Sequence, residues 1–162
     1  MIIKISVRNL VEFVLRRGDL QPGSIGASRA LEGIKAHQYI QKISGADYVP
    51  EVTLSYVYPN QETQDGWVPK SISENLCLEI KGRADGIIMK ESGACIDEIK
   101  TTSLDLDLID ESFSDLHWAQ AQCYAFMYAM QEGLETMETQ LTYVQLDTVQ
   151  TKKFLRSFSR QN

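Results

Sequence analysis

The chain is short of cysteine, histidine, long apolar runs and positive charge, and each shortage removes a class of function. Its three cysteines, Cys77, Cys95 and Cys123, are far apart and form no C-x-x-C pair, so a zinc or iron-sulfur framework has little support. Their odd number and scattered placement suit reduced, buried thiols. No stretch approaches the roughly 20 apolar residues that span a bilayer. The opening MIIKIS lacks the apolar region and cleavage site of a signal peptide. A cytoplasmic protein without a membrane partner is therefore expected. With 16 basic against 22 acidic residues the net charge is −6, which disfavours a broad phosphate-binding surface. A local one is still allowed, and carboxylates are themselves ligands for hard cations such as Mg2+.

What the chain does have is enough apolar material for a core. Hydrophobic residues make up 43% of its 162 positions and charged residues 23%, ordinary values for one globular domain covering 1–162. Ser6 can cap a helix running to about Arg17, with Val7, Leu10, Val11, Val14 and Leu15 as its stripe and Gly18 as its stop. Residues 19–26 read as a loop, and a second helix is predicted over Ala27–Ile43. The period then changes. EVTLSYVY (Glu51–Tyr58) reads as a strand, PNQETQDGWVPKS as a polar loop, and 75–82 and 83–90 as two strands or one long bent strand. Ala94–Thr101 reads as another strand and 102–114 as an acidic connection. A helix over Asp115–Gln131 and a strand over Thr139–Asp147 complete the series. The order α-α-β-β-β-β-α-β predicts an α/β fold, a mixed sheet flanked by helices. The closing KKFLRSFSRQN carries no stop signal, so a fragment, or one domain of a longer protein, is expected.

The most informative stretch is GRADGIIMKESGACIDEIKT, residues 82–101. If Glu91-Ser92 forms a two-residue hairpin loop, Lys90 faces Gly93, and counting back sets Asp85 opposite Glu98. Opposed residues share a face with Cβ atoms roughly 4.5–5.5 Å apart. Lys100, two residues beyond Glu98, points the same way, whereas Asp97 points to the other face. A one-residue slip would separate Asp85 from the other two. Like charges so placed need something positive between them. Lys100 supplies one charge, and Mg2+ or Mn2+ would supply more. Such an ion polarises a phosphodiester and helps form hydroxide, and a lysine beside it orients water or stabilises developing charge. A surface hairpin with a solvated salt bridge is the plainer alternative. The apolar neighbours Ile87, Ile88, Met89, Ile96 and Ile99 weigh against it.

Two further features bear on this site. Gln120 and Tyr124 share a face of the following helix at i,i+4, a stripe that His117 and Tyr128 extend. Polar and aromatic tips there suit contact with a phosphate or a base. Tyr128 and Trp118 are expected in the core instead. His37 lies between Ile34 and Ile40, with Gly33 one turn earlier. A lone histidine on that side is more often a core residue than a ligand, yet a neutral imidazole would complete a site with two carboxylates.

Together these pieces resemble the PD-(D/E)XK nuclease superfamily, and within it the RecB-like branch that includes CRISPR-associated exonucleases. G33-IKA-H37 resembles the helical histidine motif and G82-RADG-I87 the first acidic motif. I96-DEIK-T101 resembles the D/E-x-K motif and Q120-AQC-Y124 the Q-x-x-x-Y helix. The order matches along most of the chain. The resemblance implies a restriction-endonuclease-like three-layer core and a metal site of His37, Asp85, Glu98 and the main-chain carbonyl of Ile99. It implies that Lys100 assists the attacking water and that Gln120 and Tyr124 position DNA. SVRNLVEFVLRRGDL also resembles nuclease domains fused ahead of DinG-type helicases, which points to a helicase domain or subunit as partner. Some RecB-like relatives carry four cysteines for an iron-sulfur cluster. That spacing is absent, so no cluster is expected. The acidic net charge leaves the basic surface to a partner domain.

The resulting expectation is a Mg2+- or Mn2+-dependent DNA exonuclease acting on single strands or ends, in DNA repair, recombination or CRISPR-type processing. Two alternatives stay open: a catalytically inactive module of the same fold that binds DNA or a helicase, and an enzyme that cleaves RNA.

Overall fold

A computed structural model describes residues 2–15, 27–58, 77–91 and 93–160. The expected helix end at Arg17-Gly18, the loop 19–26, the polar loop from Pro59 to Ser71 and the strand start at Asn75 lie outside these residues.

The protein is α/β, with a six-stranded mixed sheet between helices. Its strands are β1 (Ile2–Ser6), β2 (Tyr48–Tyr58), β3 (Cys77–Lys90), β4 (Gly93–Thr102), β5 (Thr136–Gln145) and β6 (Thr151–Ser159). Among the described residues the helices are α1 (Val7–Val14), α2 (Ala27–Ile43) and α3 (Asp115–Glu132). A 3-10 turn, Leu106–Leu108, interrupts the acidic connection. The Ser6 hydroxyl caps α1 by accepting from the Asn9 amide at 3.1 Å. Ser114 caps α3 in the same way, and Gly133, at φ 68°, ends it. The helix over Ala27–Ile43 and the single bent strand over 77–90 match expectation.

Two strands depart from it. MIIKIS contains β1, which pairs in parallel with Cys77–Lys81 of β3. KKFLRSFS lies in β6, antiparallel to β5, with Phe154 and Phe158 turned inwards against the two main core clusters. The last predicted strand also begins three residues earlier than expected, at Thr136.

β3 is the spine of the sheet. One edge pairs with β2 over residues 78–88. The other pairs first with β1 over 77–81 and then with β4 over 86–90. Between those two runs, at residues 82–85, β3 has left one neighbour and not yet met the next. α1 and α3 cover one face of the sheet, where Val7, Val11, Ile80, Ala84, Ile87, Ile96, Tyr124 and Met127 form the main core. α2 covers the opposite face through Ala36 and Ile40, which pack on Ile99 and Val144. No helix among the described residues is long and apolar enough to cross a membrane.

Candidate functional site

The hairpin register sets the site. Lys90 pairs with Gly93 and Gly86 with Asp97, the alignment that places Asp85 across from Glu98. The ladder stops at Gly86, however, and the core-facing pattern of β3 slips there. Ile80 and Ala84 face the main core two by two, and the next core residue is Ile87, three positions on. On the neighbouring strand Glu51 has φ 54°, a left-handed backbone that costs a non-glycine residue about 1 kcal/mol. Asp85 is therefore not a simple cross-strand partner of Glu98. It sits in the fork where β3 leaves β4. Its Oδ2 accepts the Ile99 amide at 2.8 Å, taking the place of the missing ladder bond. Its Oδ1 lies 3.3 Å from Nδ1 of His37 on α2.

Glu98 and Lys100 point to the α3 face. Glu98 is 2% exposed. Its Oε1 accepts from Lys100 Nζ at 2.7 Å, and its Oε2 is buried without a hydrogen-bond partner. Lys100 Nζ also donates to Gln120 Oε1 at 2.9 Å. Burial, reinforced by the negative charge of Asp85, pushes the Glu98 carboxyl up to about 7, against the pull of Lys100. Tyr124 is buried beside this chain. A Cβ on Gly82 would lie 2.6 Å from its ring and 2.8 Å from its hydroxyl oxygen, so only glycine lets the ring approach β3. Burial and the nearby Glu98 and Asp85 raise the Tyr124 hydroxyl to about 12.

The predicted residues thus fall into two half-sites joined at the fork: His37 with Asp85, and Glu98 with Lys100, Gln120 and Tyr124. His117 hydrogen-bonds to neither half-site. Its Nδ1 lies 2.8 Å from the Tyr143 hydroxyl, and burial, with Lys100 nearby, pushes its pKa down to about 4. Trp118, 2% exposed, is a core residue as expected. Among the described residues, no group of three or more His, Cys, Asp or Glu side chains closes around one point. The donor set nevertheless suits a hard divalent cation: one imidazole and two carboxylates, one of which, Glu98, has a buried oxygen with no hydrogen-bond partner. The cysteines are free thiols.

Sequence reasoning missed several neighbours of Asp85. Gln41 Nε2, one turn beyond His37, donates to the Asp85 carbonyl at 2.9 Å. Its i,i+4 spacing from His37 was the available signal. Arg83 pairs with Glu51 at 3.4 Å, and both line a cleft of about 530 Å³ with Gly33, His37, Asp85 and Thr101. Asp97 lies on the opposite face from Lys100, as alternation required, and is 1% exposed. The donors around it, Tyr48, Gln140 and Thr142, come from strands far away in sequence.

A solved structure described as the crystal structure of SSO0001 is similar to this chain. It aligns with a TM-score of 0.59 and 21% identity over 96% of this chain and 67% of that one. At that identity the likeness shows the fold alone. No protein-family model and no curated protein matches the sequence.

Proposed function

We propose that the chain is a divalent-metal-dependent phosphodiesterase that hydrolyses DNA, acting on single strands or duplex ends in DNA repair, recombination or CRISPR-type processing. Glu98 carries the reading. A buried carboxylate oxygen without a hydrogen bond costs several kcal/mol, and a bound cation is the partner that would remove that cost. His37, Asp85, Glu98 and the Ile99 carbonyl would hold Mg2+ or Mn2+. The ion, when bound, would polarise a phosphodiester and lower the pKa of water. Lys100, held between Glu98 and Gln120, sets a cationic donor beside the buried carboxylate, where it orients water and stabilises charge developing on phosphate oxygens. Gln120 fixes the Lys100 side chain, and Tyr124 backs that helix face against Gly82. The cleft over His37, Asp85 and Arg83 gives a nucleotide room to approach. The acidic chain leaves the broader basic surface to a partner such as a helicase domain or subunit.

The test is digestion of end-labelled DNA by the purified chain with Mg2+ or Mn2+. Lys100→Ala should lower turnover by about 10^2 to 10^4-fold while leaving the unfolding transition in place, and an equally active variant would refute its assigned role. A second reading is a non-catalytic module of the same fold that binds DNA or a helicase. The separation of the donors into two half-sites that do not close around one point favours it. Calorimetry with Mn2+ separates the two. No binding, or binding unchanged in Asp85→Ala, selects the module.

A further inference from the structure

Tyr48 begins β2, and its ring crosses β3 at Gly86. A Cβ on Gly86 would lie 2.0 Å from the ring carbon Cζ, 2.1 Å from the hydroxyl oxygen and 2.4 Å from Cε1. No other residue fits beneath that ring without moving it. The hydroxyl continues to β4 and donates to Asp97 Oδ2 at 3.1 Å. Asp97 Oδ1 accepts from Thr142 Oγ1 at 2.6 Å and from Gln140 Nε2 at 2.9 Å, both on β5. Two side chains, Tyr48 and Asp97, therefore tie β2, β3, β4 and β5 together on the α2 face. The tie lies across Gly86↔Asp97, the last bonded pair before β3 and β4 part. The next residue is Asp85, whose carboxylate has to reach the Ile99 amide across the fork.

We propose that Tyr48, Gly86 and Asp97 form a lock that fixes where the fork opens, making Tyr48 a positioning residue for Asp85. The lock acts through the backbone. If the Gly86–Asp97 pair loosens, β3 is free to drift from β4, and the Asp85 carboxylate loses its reach to Ile99. Gln41 holds the Asp85 carbonyl from α2, so drift on one side is felt as rotation of the carboxylate on the other. That this position matters for a cation rests on the metal-binding reading above. The lock itself does not.

The test uses the full chain without metal. Amide hydrogen exchange is followed by NMR at Ile99, the donor to Asp85, and along the β5–β6 ladder. Tyr48→Phe keeps the ring over Gly86 and removes only the bond to Asp97. It should lower Ile99 protection about tenfold while β5–β6 amides hold their wild-type values. Gly86→Ala displaces the ring with its hydroxyl intact and should do the same. Unchanged Ile99 protection in Tyr48→Phe, or a uniform loss at all amides that tracks global stability, would overturn the lock. A Mn2+ titration by calorimetry is the second readout, with the dissociation constant expected to rise several-fold in Tyr48→Phe. A wild-type protein that binds no Mn2+ would sink the metal reading, and the exchange result would still decide the lock.

Discussion

Asp97 and Glu98 are adjacent in sequence and almost equally buried, at 1% and 2% exposure, yet their surroundings are opposite. Asp97 faces α2 with donors from Tyr48, Gln140 and Thr142 on its two oxygens. Glu98 faces α3 with one oxygen on Lys100 and the other bare. A carboxylate with donors on both oxygens is bound into the fold, and removing it strands those donors. A buried carboxylate with an unused oxygen is held at a cost by the rest of the fold, and the metal-binding proposal rests on that cost. Burial alone does not tell the two apart. The count of donors does.

The contrast can be broken in three ways. Asp97→Ala carries the largest expected effect, a loss of about 3–4 kcal/mol in urea unfolding, because two buried donors, Tyr48 and Thr142, and the partly buried Gln140 lose their acceptor at once. A loss under about 1 kcal/mol would show that the donors re-pair and that Asp97 is no more structural than Glu98. Glu98→Gln should act in the opposite direction. Because the folded state raises the Glu98 pKa to about 7, its contribution favours folding below about pH 4.5 and is lost as pH rises through 7. Glu98→Gln should therefore raise stability at pH 8 by about 1–2 kcal/mol, with little change at pH 4.5, and on the proposed metal site it should also abolish Mn2+ binding. Destabilisation at pH 8 would mean that Lys100 fully compensates the buried charge. His117→Gln sharpens the comparison with a group held neutral. Its pKa is lowered to about 4, so its contribution is full above about pH 6.5 and is lost as pH falls towards 4. The substitution should flatten the stability curve across that window by about 1 kcal/mol, allowing for partial exposure. A slope unchanged from wild type would place the acid sensitivity elsewhere.

The sequence made some of this legible and hid the rest for identifiable reasons. Strand alternation separated Asp97 from Lys100, and counting from the turn at Glu91 aligned Gly86 with Asp97, because a hairpin's register is a local property. The slip between Ala84 and Ile87 was not readable. It depends on β3 changing neighbours, from β1 to β4, and no window around Asp85 contains β1. β1 itself was missed for the same reason: five residues that pair in parallel with a distant strand carry no hairpin signal. β6 was missed because Lys152, Lys153 and Arg156 interrupt its apolar alternation, as charges commonly do on an edge strand. The convergence of Lys100 and Gln120 followed from their motifs. The Tyr48–Asp97 bond, 49 residues apart, followed from nothing local.

The spine position of β3 also governs how the chain can fold. β2, β3 and β4 pair with neighbours in sequence, whereas β1 must wait for a partner about 75 residues downstream. Pairing over that separation carries the larger loop-closure cost. Assembly should therefore run outwards from the β3–β4 hairpin. On the ribosome β1 would leave the exit tunnel long before its place in the sheet exists, with exposed Ile2 and Ile3 unpaired until β3 has been made.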